Sequence, residues 1–424
     1  MTRMSSFRSG GLGAAVLLFA VAASAAEPRY RILDLTERAR PYGVVQAETR
    51  GINAAGEKVG FELLEDFKAR AIYWGADGSV KFPPLLAGDN STYAYGISES
   101  GVVTGVSEKV TVIWQGGKWI IIREQKAALW QDQQVINLND LVKGGADLDL
   151  KEAICMNRSG QIVGLATVRG QTTRRGFLFD NGIVTDLGEL VWPQFLNNRN
   201  QVVGSDVNQR RALLWDNGTI IDLHRNPPLG GVKSVAWGIN DAGLIVGEAQ
   251  WHISKPEEAT LWAGNDIIRL VPEFNRPQGV AAAVNDQNQI AGFYINLDDL
   301  NDYWHGFVWK EGQRIDLRDR IPQSLGWYML LPFGINHHGQ VVGGGVRNGE
   351  MGHAFVASPV LLGDLNCDWA VNNFDIDAFV LALTDPAGYA QKFPNCDRML
   401  ADCNGDGVVD NFDIDPFVEL LTKP

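Results

Sequence analysis

The residues with the most definite chemistry lie near the C-terminus. Asp364, Asn366, Asp368, Asn372 and Asp375 stand at positions 1, 3, 5, 9 and 12 of one loop, and Asp402, Asn404, Asp406, Asp410 and Asp413 repeat that spacing in another. Every one offers oxygen. A hard cation takes about six to eight oxygen ligands, and this alternation folds the side chains of a short loop around one ion. Ala370 and Val408, at position 7, would each add a backbone carbonyl. The pattern predicts two bound Ca2+, one per loop. Trp369 replaces, in loop one, the turn glycine that Gly407 supplies in loop two, so loop one is expected to bind more weakly. Amphipathic helices should follow directly, over Asn373–Thr384 and Asn411–Thr422, with Asp375/Asp377 and Asp413/Asp415 in the first turns, where the helix dipole favours them.

Charge separates this tail from the rest. Residues 361–424 hold 12 Asp/Glu against Lys392, Arg398 and Lys423, in a chain of formal charge −13. Such a tail repels nucleic acid, and no basic patch appears elsewhere, so nucleic acid is excluded as a partner. Cys367, Cys396 and Cys403 all lie in the tail. Export would allow a disulfide there, with the pairing open, whereas Cys155 in an apolar run reads as a buried free thiol.

No other constellation carries comparable weight. The segment 294–304 places Asp298, Asp299 and Asp302 beside Tyr303 and Trp304, which suits glycosidase acid–base work and equally suits a solvated acidic loop. His305, His337 and His338 show no metal-ligand spacing, and neither a nucleophile elbow nor a phosphate loop is present. No catalytic residue is assigned.

The elements that position these residues come from a repeat. A ten-residue pattern recurs seven times, at 51–60, 96–105, 155–164, 195–204, 238–247, 283–292 and 334–343. Its third position is Asn or Ser, its sixth is Gly or Asn, and its tenth is always Gly: the grammar of a hairpin whose turn needs positive φ. A second pattern follows each copy, a small residue, apolar residues and an aromatic, then a turn and an apolar strand, as in Ala212–Trp215 and Thr219–Leu223. Four strands over roughly 40–50 residues make a propeller blade. The last repeat lacks its closing strand, and Tyr30–Leu35 matches it. The expected fold is therefore mainly β, a seven-bladed β-propeller of four-stranded blades whose N-terminal strand closes the last blade, over residues 27–360.

That topology sorts the tryptophans. Trp74, Trp130, Trp215, Trp262 and Trp309 take the repeated aromatic position and should pack between blades. Trp114, Trp119, Trp192, Trp251, Trp304 and Trp327 fall on the face of variable loops, where aromatics suit sugar stacking or protein contact, although an extra hairpin over Val110–Ile122 would also account for two of them. At the other end, Arg3 and Arg8 precede a short apolar run that closes on Ala23-Ser24-Ala25-Ala26, the order of a secretory signal over 1–26 cleaved near Ala26. That run is too short to span a bilayer comfortably, and no later segment would, so a secreted protein without a membrane span is expected.

The repeats resemble the bacterial extracellular HAF-type family, named for a His-Ala-Phe step that His353-Ala354-Phe355 carries literally. The resemblance covers most of residues 30–357 and implies no settled activity. The tail, 361–424, resembles a type I dockerin: two EF-hand-like loops, each leading into a helix, with Asp rather than Glu at position 12. That resemblance implies calcium-dependent docking to a cohesin-like module through Asn373/Phe374 and Asn411/Phe412, although Phe departs from the family's usual hydroxyl pair. The leading expectation is a secreted, non-catalytic binding or adaptor protein for a glycan or protein ligand. The alternative is a glycoside hydrolase or polysaccharide lyase with its active site on the propeller's loop face.

Overall fold

The computed structural model describes residues 30–224, 231–271, 277–298, 303–368, 370–393 and 396–422. The signal segment 1–26, Asp299, Asp302 and Trp369 lie outside the described residues. Seven antiparallel sheets follow one another along the chain, each ordered from an inner to an outer strand. They form a seven-bladed propeller of four-stranded blades. The inner strands are Glu48–Ile52, Ser91–Ile97, Leu148–Met156, Trp192–Leu196, Ser234–Ile239, Pro277–Val284 and Trp327–Ile335. The third blade also gains a two-residue parallel strand, Gly144–Gly145, on its outer edge. The expected closure is present: Tyr30–Asp34 pairs antiparallel with Glu350–Pro359, from Tyr30↔Pro359 to Asp34↔Phe355.

Each feature of the ten-residue pattern has a physical cause. Its sixth residue sits at positive φ in all seven copies, from Asn200 at 61° to Gly243 at 87°. The register of every inner strand slips by one residue at the same place, between Thr49/Gly51, Ala94/Gly96, Ala153/Cys155, Pro193/Phe195, Ala236/Gly238, Ala281/Ala283 and Pro332/Gly334. A bulge of this kind bends the strand and re-aims the extra residue. It also explains the invariant tenth glycine. A Cβ at Gly60, Gly164 or Gly343 would lie 1.8, 1.8 and 2.0 Å from the carbonyl oxygen of Glu48, Glu152 or Leu331, inside any allowed contact.

The third-position asparagines link the blades. Each Oδ1 accepts the N–H four residues on, as from Gln201 to Asn197 at 2.9 Å, which sets the turn. The Nδ2 reaches the next blade: Asn157 to the carbonyl of Asn197, Asn197 to Asn240, Asn240 to Asn285, Asn285 to Asn336, and Asn336 to Asn53, at 2.9–3.2 Å. The last of these bonds joins blade seven to blade one. At the second blade Ser98 keeps the local bond, accepting from Val102 N–H at 3.0 Å. Apolar cores fill the spaces between blades, with Trp74, Trp130, Trp215 and Trp262 only 1, 4, 7 and 3% exposed.

In three blades the residue before the small–apolar step pairs diagonally with the outer strand. Arg175 meets Asp186 and Arg211 meets Asp222, each at 3.2 Å, and the polarity reverses at Glu258–Arg269, 2.5 Å. His353, the first residue of His-Ala-Phe, makes the same contact with Asp34 at 2.7 Å, across the closing strand.

The tail builds its own core from Leu365, Ala378, Phe379, Ala382, Tyr389, Ala401, Val409 and Phe417. Helices span Ile376–Thr384 and Ile414–Thr422, each preceded by a short 3-10 turn, and a further helix, Pro386–Lys392, lies between them. The two loop–helix copies are offset by a constant interval, so Phe379 and Phe417 are equivalent. Their rings stack at 4.0 Å with 4° between planes. The open question of cysteine pairing resolves as Cys367–Cys396, which fixes loop one to the segment ahead of loop two. Closing a loop of that length stabilises by about 3–4 kcal/mol. Cys155 is buried and free, and burial pushes its thiol up to about 12.

Candidate functional site

In the tail loops, the position-12 carboxylates are fully buried. Asp375 accepts N–H bonds from Leu365, Asn366 and Asn372 at 2.7–3.0 Å, and Asp413 accepts from Asn404 and Asp410 at 3.1 and 2.9 Å. Asp402 is 6% exposed and accepts from Gly405, Asp406 and Gly407 at 2.9–3.1 Å. Asp364 is 3% exposed and accepts from Asp368 N–H at 3.1 Å. Asn366 and Asn404 each bond the carboxylate two residues on, Asp368 or Asp406, at 2.9 and 3.0 Å. Asn372 and Asp410 cap the helices through the N–H of Phe374 and Phe412, each at 2.8 Å. Thus the two loops have matching frames and an all-oxygen donor set, with the carboxylates at positions 1 and 12 buried and those at position 5, Asp368 and Asp406, exposed. Their side chains rest on backbone N–H groups; three carboxylate oxygens are not drawn to within 4.8 Å of one another in either loop.

The residues at positions 10 and 11 point outward. Phe374 and Phe412 are 79 and 78% exposed, in contrast to the buried Phe379 and Phe417 of the helices that follow. Asn373 and Asn411 open the short 3-10 turns beside them.

The propeller presents two unlike faces. The hairpin turns between first and second strands close one end of the axis, where the inner strands of all seven blades enclose a cavity of about 250 Å³. Arg50, Tyr95, Ile154, Gln194 and Phe333, all bulged residues, line it. The Arg50 guanidinium lies 4.4 Å from the Phe333 ring and 5.6 Å from Phe61, and bonds Glu48 at 2.7 Å. No sequence pattern pointed to these positions, because a bulge leaves no mark except the glycine that accommodates it.

The opposite, variable face holds most of the tryptophans proposed for ligands. Trp114 and Trp119 are 59 and 60% exposed and meet at the tip of a long hairpin. Trp192 lies under Arg174 at 4.8 Å and bonds the carbonyl of Val207. Trp251 lies beside Arg269 at 6.0 Å and bonds Thr260. Trp304 packs edge-on against Phe293 at 5.5 Å. Trp327 departs from expectation. It is 4% exposed, wedged against Phe355 and His353 in the core of blade seven, and offers no ring to a ligand. A recurrent arginine–aromatic contact on this face went unread in the sequence, because the partners sit on neighbouring strands or blades.

Among the described residues, the one trio of carboxylate and imidazole groups within 4.8 Å is Asp34, Glu37 and His353. Arg347 pairs with Asp34 at 3.1 Å and Arg40 with Glu37 at 2.7 Å, so each carboxylate already has a cation in this clasp on the closing strand.

Several carboxyls are perturbed. Burial holds Glu62, Glu152, Glu248 and Glu258 above the usual range, against the pull of Arg70, Arg174, Lys233 and Arg269. A carboxyl raised in the folded state binds protons there that the unfolded chain has released, so folding stability falls as pH rises through the folded value. His338, lowered first by burial and then by His337, opposes this as one group against four. The thermal midpoint of the propeller is expected to rise as pH falls from neutrality toward the ordinary carboxylate range. Glu152→Gln should flatten that rise in calorimetric scans; an unchanged slope would refute the assignment.

Neither a family model nor a curated protein matches the chain. Among solved structures, the acylaminoacyl peptidase of Pyrococcus horikoshii is similar over 70% of this chain and 49% of its own, at 8% identity and TM-score 0.43. Puromycin hydrolase is similar over 74% of this chain and 52% of its own, at 13% identity and TM-score 0.45. The Aleuria aurantia lectin is similar over 63% of this chain and 94% of its own, at 11% identity and TM-score 0.31. The chain spans about half the length of the two enzymes.

Proposed function

We propose that this chain is a secreted, non-catalytic adaptor of the HAF-repeat type: a propeller that recognises a glycan or protein ligand, carried by a calcium-folded, dockerin-like tail. The observation that carries the reading is the duplicated tail surface. Two phenylalanines at equivalent positions stand largely in solvent, beside loops whose last carboxylates, Asp375 and Asp413, are buried. Exposed aromatics repeated on a small acidic domain suit an interface far better than a solvated surface. The residues that would hold the two Ca2+ are Asp364, Asn366, Asp368, Asn372 and Asp375, and Asp402, Asn404, Asp406, Asp410 and Asp413. The ion would offset the cost of burying Asp375 and Asp413. The partner is a cohesin-like module whose contact suits phenylalanine instead of a hydroxyl pair.

A pull-down from the same secretome, with and without chelator, tests this. Capture should require calcium and should be lost in the Phe374→Ala/Phe412→Ala chain; capture that survives both refutes the docking reading. Isothermal titration of calcium should resolve two unequal affinities, with the weaker assigned to loop one by Asp402→Ala. Two equal affinities would show that Trp369 is no handicap.

One observation favours the catalytic alternative. Glu152, raised by burial and further by Glu108, sits on an inner strand with Arg174 near it. Turnover of any polysaccharide that disappears in Glu152→Gln would replace the non-catalytic reading with a hydrolase or lyase.

A further inference from the structure

Two neighbouring projections of the variable face expose more apolar surface than a solvated loop requires. In the second blade, strands Val103–Gln115 and Lys118–Gln131 pair all the way to Gln115↔Lys118. The inner neighbour pairs only as far as Glu108, and the outer one begins at Ala128. From Thr111 to Ile122 the chain is therefore a two-stranded ribbon without a buried residue on either face. Trp114 opposes Trp119 and Val112 opposes Ile121 on one face; Ile113 opposes Ile120 and Thr111 opposes Ile122 on the other. Ile113, Trp114, Trp119, Ile121 and Ile122 are 38–60% exposed. Lys118, at the turn, is the sole ionisable residue between Val110 and Ile122.

The second projection is the loop after Lys58–Leu63. Leu63, Leu64 and Phe67 are 66, 42 and 52% exposed, and Asp66 and Phe67 both hold left-handed φ, 57° and 60°. Left-handed backbone at consecutive non-glycine residues is costly, and it keeps Phe67 outward. Arg123, at the base of the ribbon, donates to the Phe67 carbonyl at 2.7 Å and ties the projections together.

Charge is layered beneath these tips. Lys109, Arg123 and Lys126 lie at the base of the ribbon with Glu124, Lys118 lies at its turn, and Glu65, Asp66 and Lys68 flank Phe67. Arg123 and Lys126 pair with the buried acids Glu108 and Asp89, which fixes their positions at the base and offsets their charge, so Lys109 and Lys118 are the basic groups of the ribbon without a buried acid among the described residues.

We propose that this pair of projections seats the protein on an anionic lipid surface, with the apolar tips at the headgroup boundary and Lys109 and Lys118 beside the phosphates. A ribbon that is apolar on both faces suits a medium that surrounds it, whereas a protein partner covers one side. The Trp114 and Trp119 rings meet at 65°, 4.9 Å apart, and so form no flat platform for a sugar. Tryptophan's amphipathic ring favours the membrane interface, and basic groups add attraction to anionic headgroups. The attachment is peripheral; no helix among the described residues is long and apolar enough to cross a membrane.

Flotation of the full chain with vesicles of equal parts phosphatidylglycerol and phosphatidylcholine tests the proposal, with tryptophan emission as a second readout. The protein should float with these vesicles, its emission should shift to the blue, and phosphatidylcholine alone should retain less. Trp114→Ser/Trp119→Ser and Phe67→Ser should each weaken retention by about tenfold or more. Melting of both variants should match the parent, since the replaced rings are exposed. Absence of flotation, or equal flotation of parent and double variant, overturns the proposal. So does a self-associated parent that becomes monomeric in the double variant, which would make the ribbon a contact between copies.

Discussion

A chain lacking Tyr30–Asp34 is expected to lose cooperative unfolding of the propeller and to aggregate. These five residues form the whole outer strand of the last blade. Their removal strips the ladder from Glu350–Pro359 and uncovers Phe355, Val356 and Ala357, which are 0, 4 and 0% exposed in the closed ring. It also deletes Asp34, the acid that His353 and Arg347 share at 2.7 and 3.1 Å. An unpaired apolar edge is a template for intermolecular pairing. The combined loss should exceed about 5 kcal/mol, beyond the range of ordinary substitutions. Calorimetry and size exclusion would show it, and a synthetic strand covering residues 30–36 should partly restore the transition. An unaltered melt of the truncated chain would mean that the ring is held by the asparagine bonds between blades and not by its closure.

Gly343→Ala is expected to cost about 3 kcal/mol or more, while Gly344→Ala, one residue on, should stay within about 1 kcal/mol. A methyl on Gly343 would meet the Leu331 carbonyl oxygen at 2.0 Å and carbon at 2.8 Å, both backbone, with Phe355 behind at 3.0 Å. A methyl on Gly344 meets nothing nearer than Glu48 at 3.5 Å. The two changes share a strand, a residue type and a size, so their difference isolates the bulge. Urea unfolding at matched conditions reads both. Equal costs would show that the inner strand can slide off its bulge without penalty.

The repeat made most of the fold legible. Invariant Gly at the tenth position, Gly or Asn at the sixth and Asn or Ser at the third spell a hairpin in the sequence itself, and the unmatched Tyr30–Leu35 spells the closure. What the pattern hid was the second use of each residue. Asn197 reads as a turn former because its local bond is a matter of short spacing, while its bond to the Asn240 carbonyl depends on the next blade. The glycine at the tenth position reads as a turn-strand glycine, while its actual constraint is a carbonyl of the bulged inner strand, two residues before the bulge. Trp327 was misplaced for a related reason: loop position alone does not say whether an aromatic turns outward or folds back over Phe355. In the tail, spacing located both acidic loops, and their duplication located Phe374 and Phe412. The partner of Cys367 required three-dimensional proximity, which spacing does not encode, and helix Pro386–Lys392 is too short and weakly patterned to stand out.

The closing strand also decides how the molecule would bear tension. The tail leaves directly after Glu350–Pro359, a strand flanked on one side by Val341–Arg347 and on the other by Tyr30–Asp34. A load applied through an anchored tail would therefore enter the ring along a strand bonded on both sides, in shear across two ladders at once. An outermost strand in that place would unzip one bond at a time. Closing the ring with the first strand of the chain shields the last one from peeling, which suits a protein held by its C-terminus while its other face grips something large.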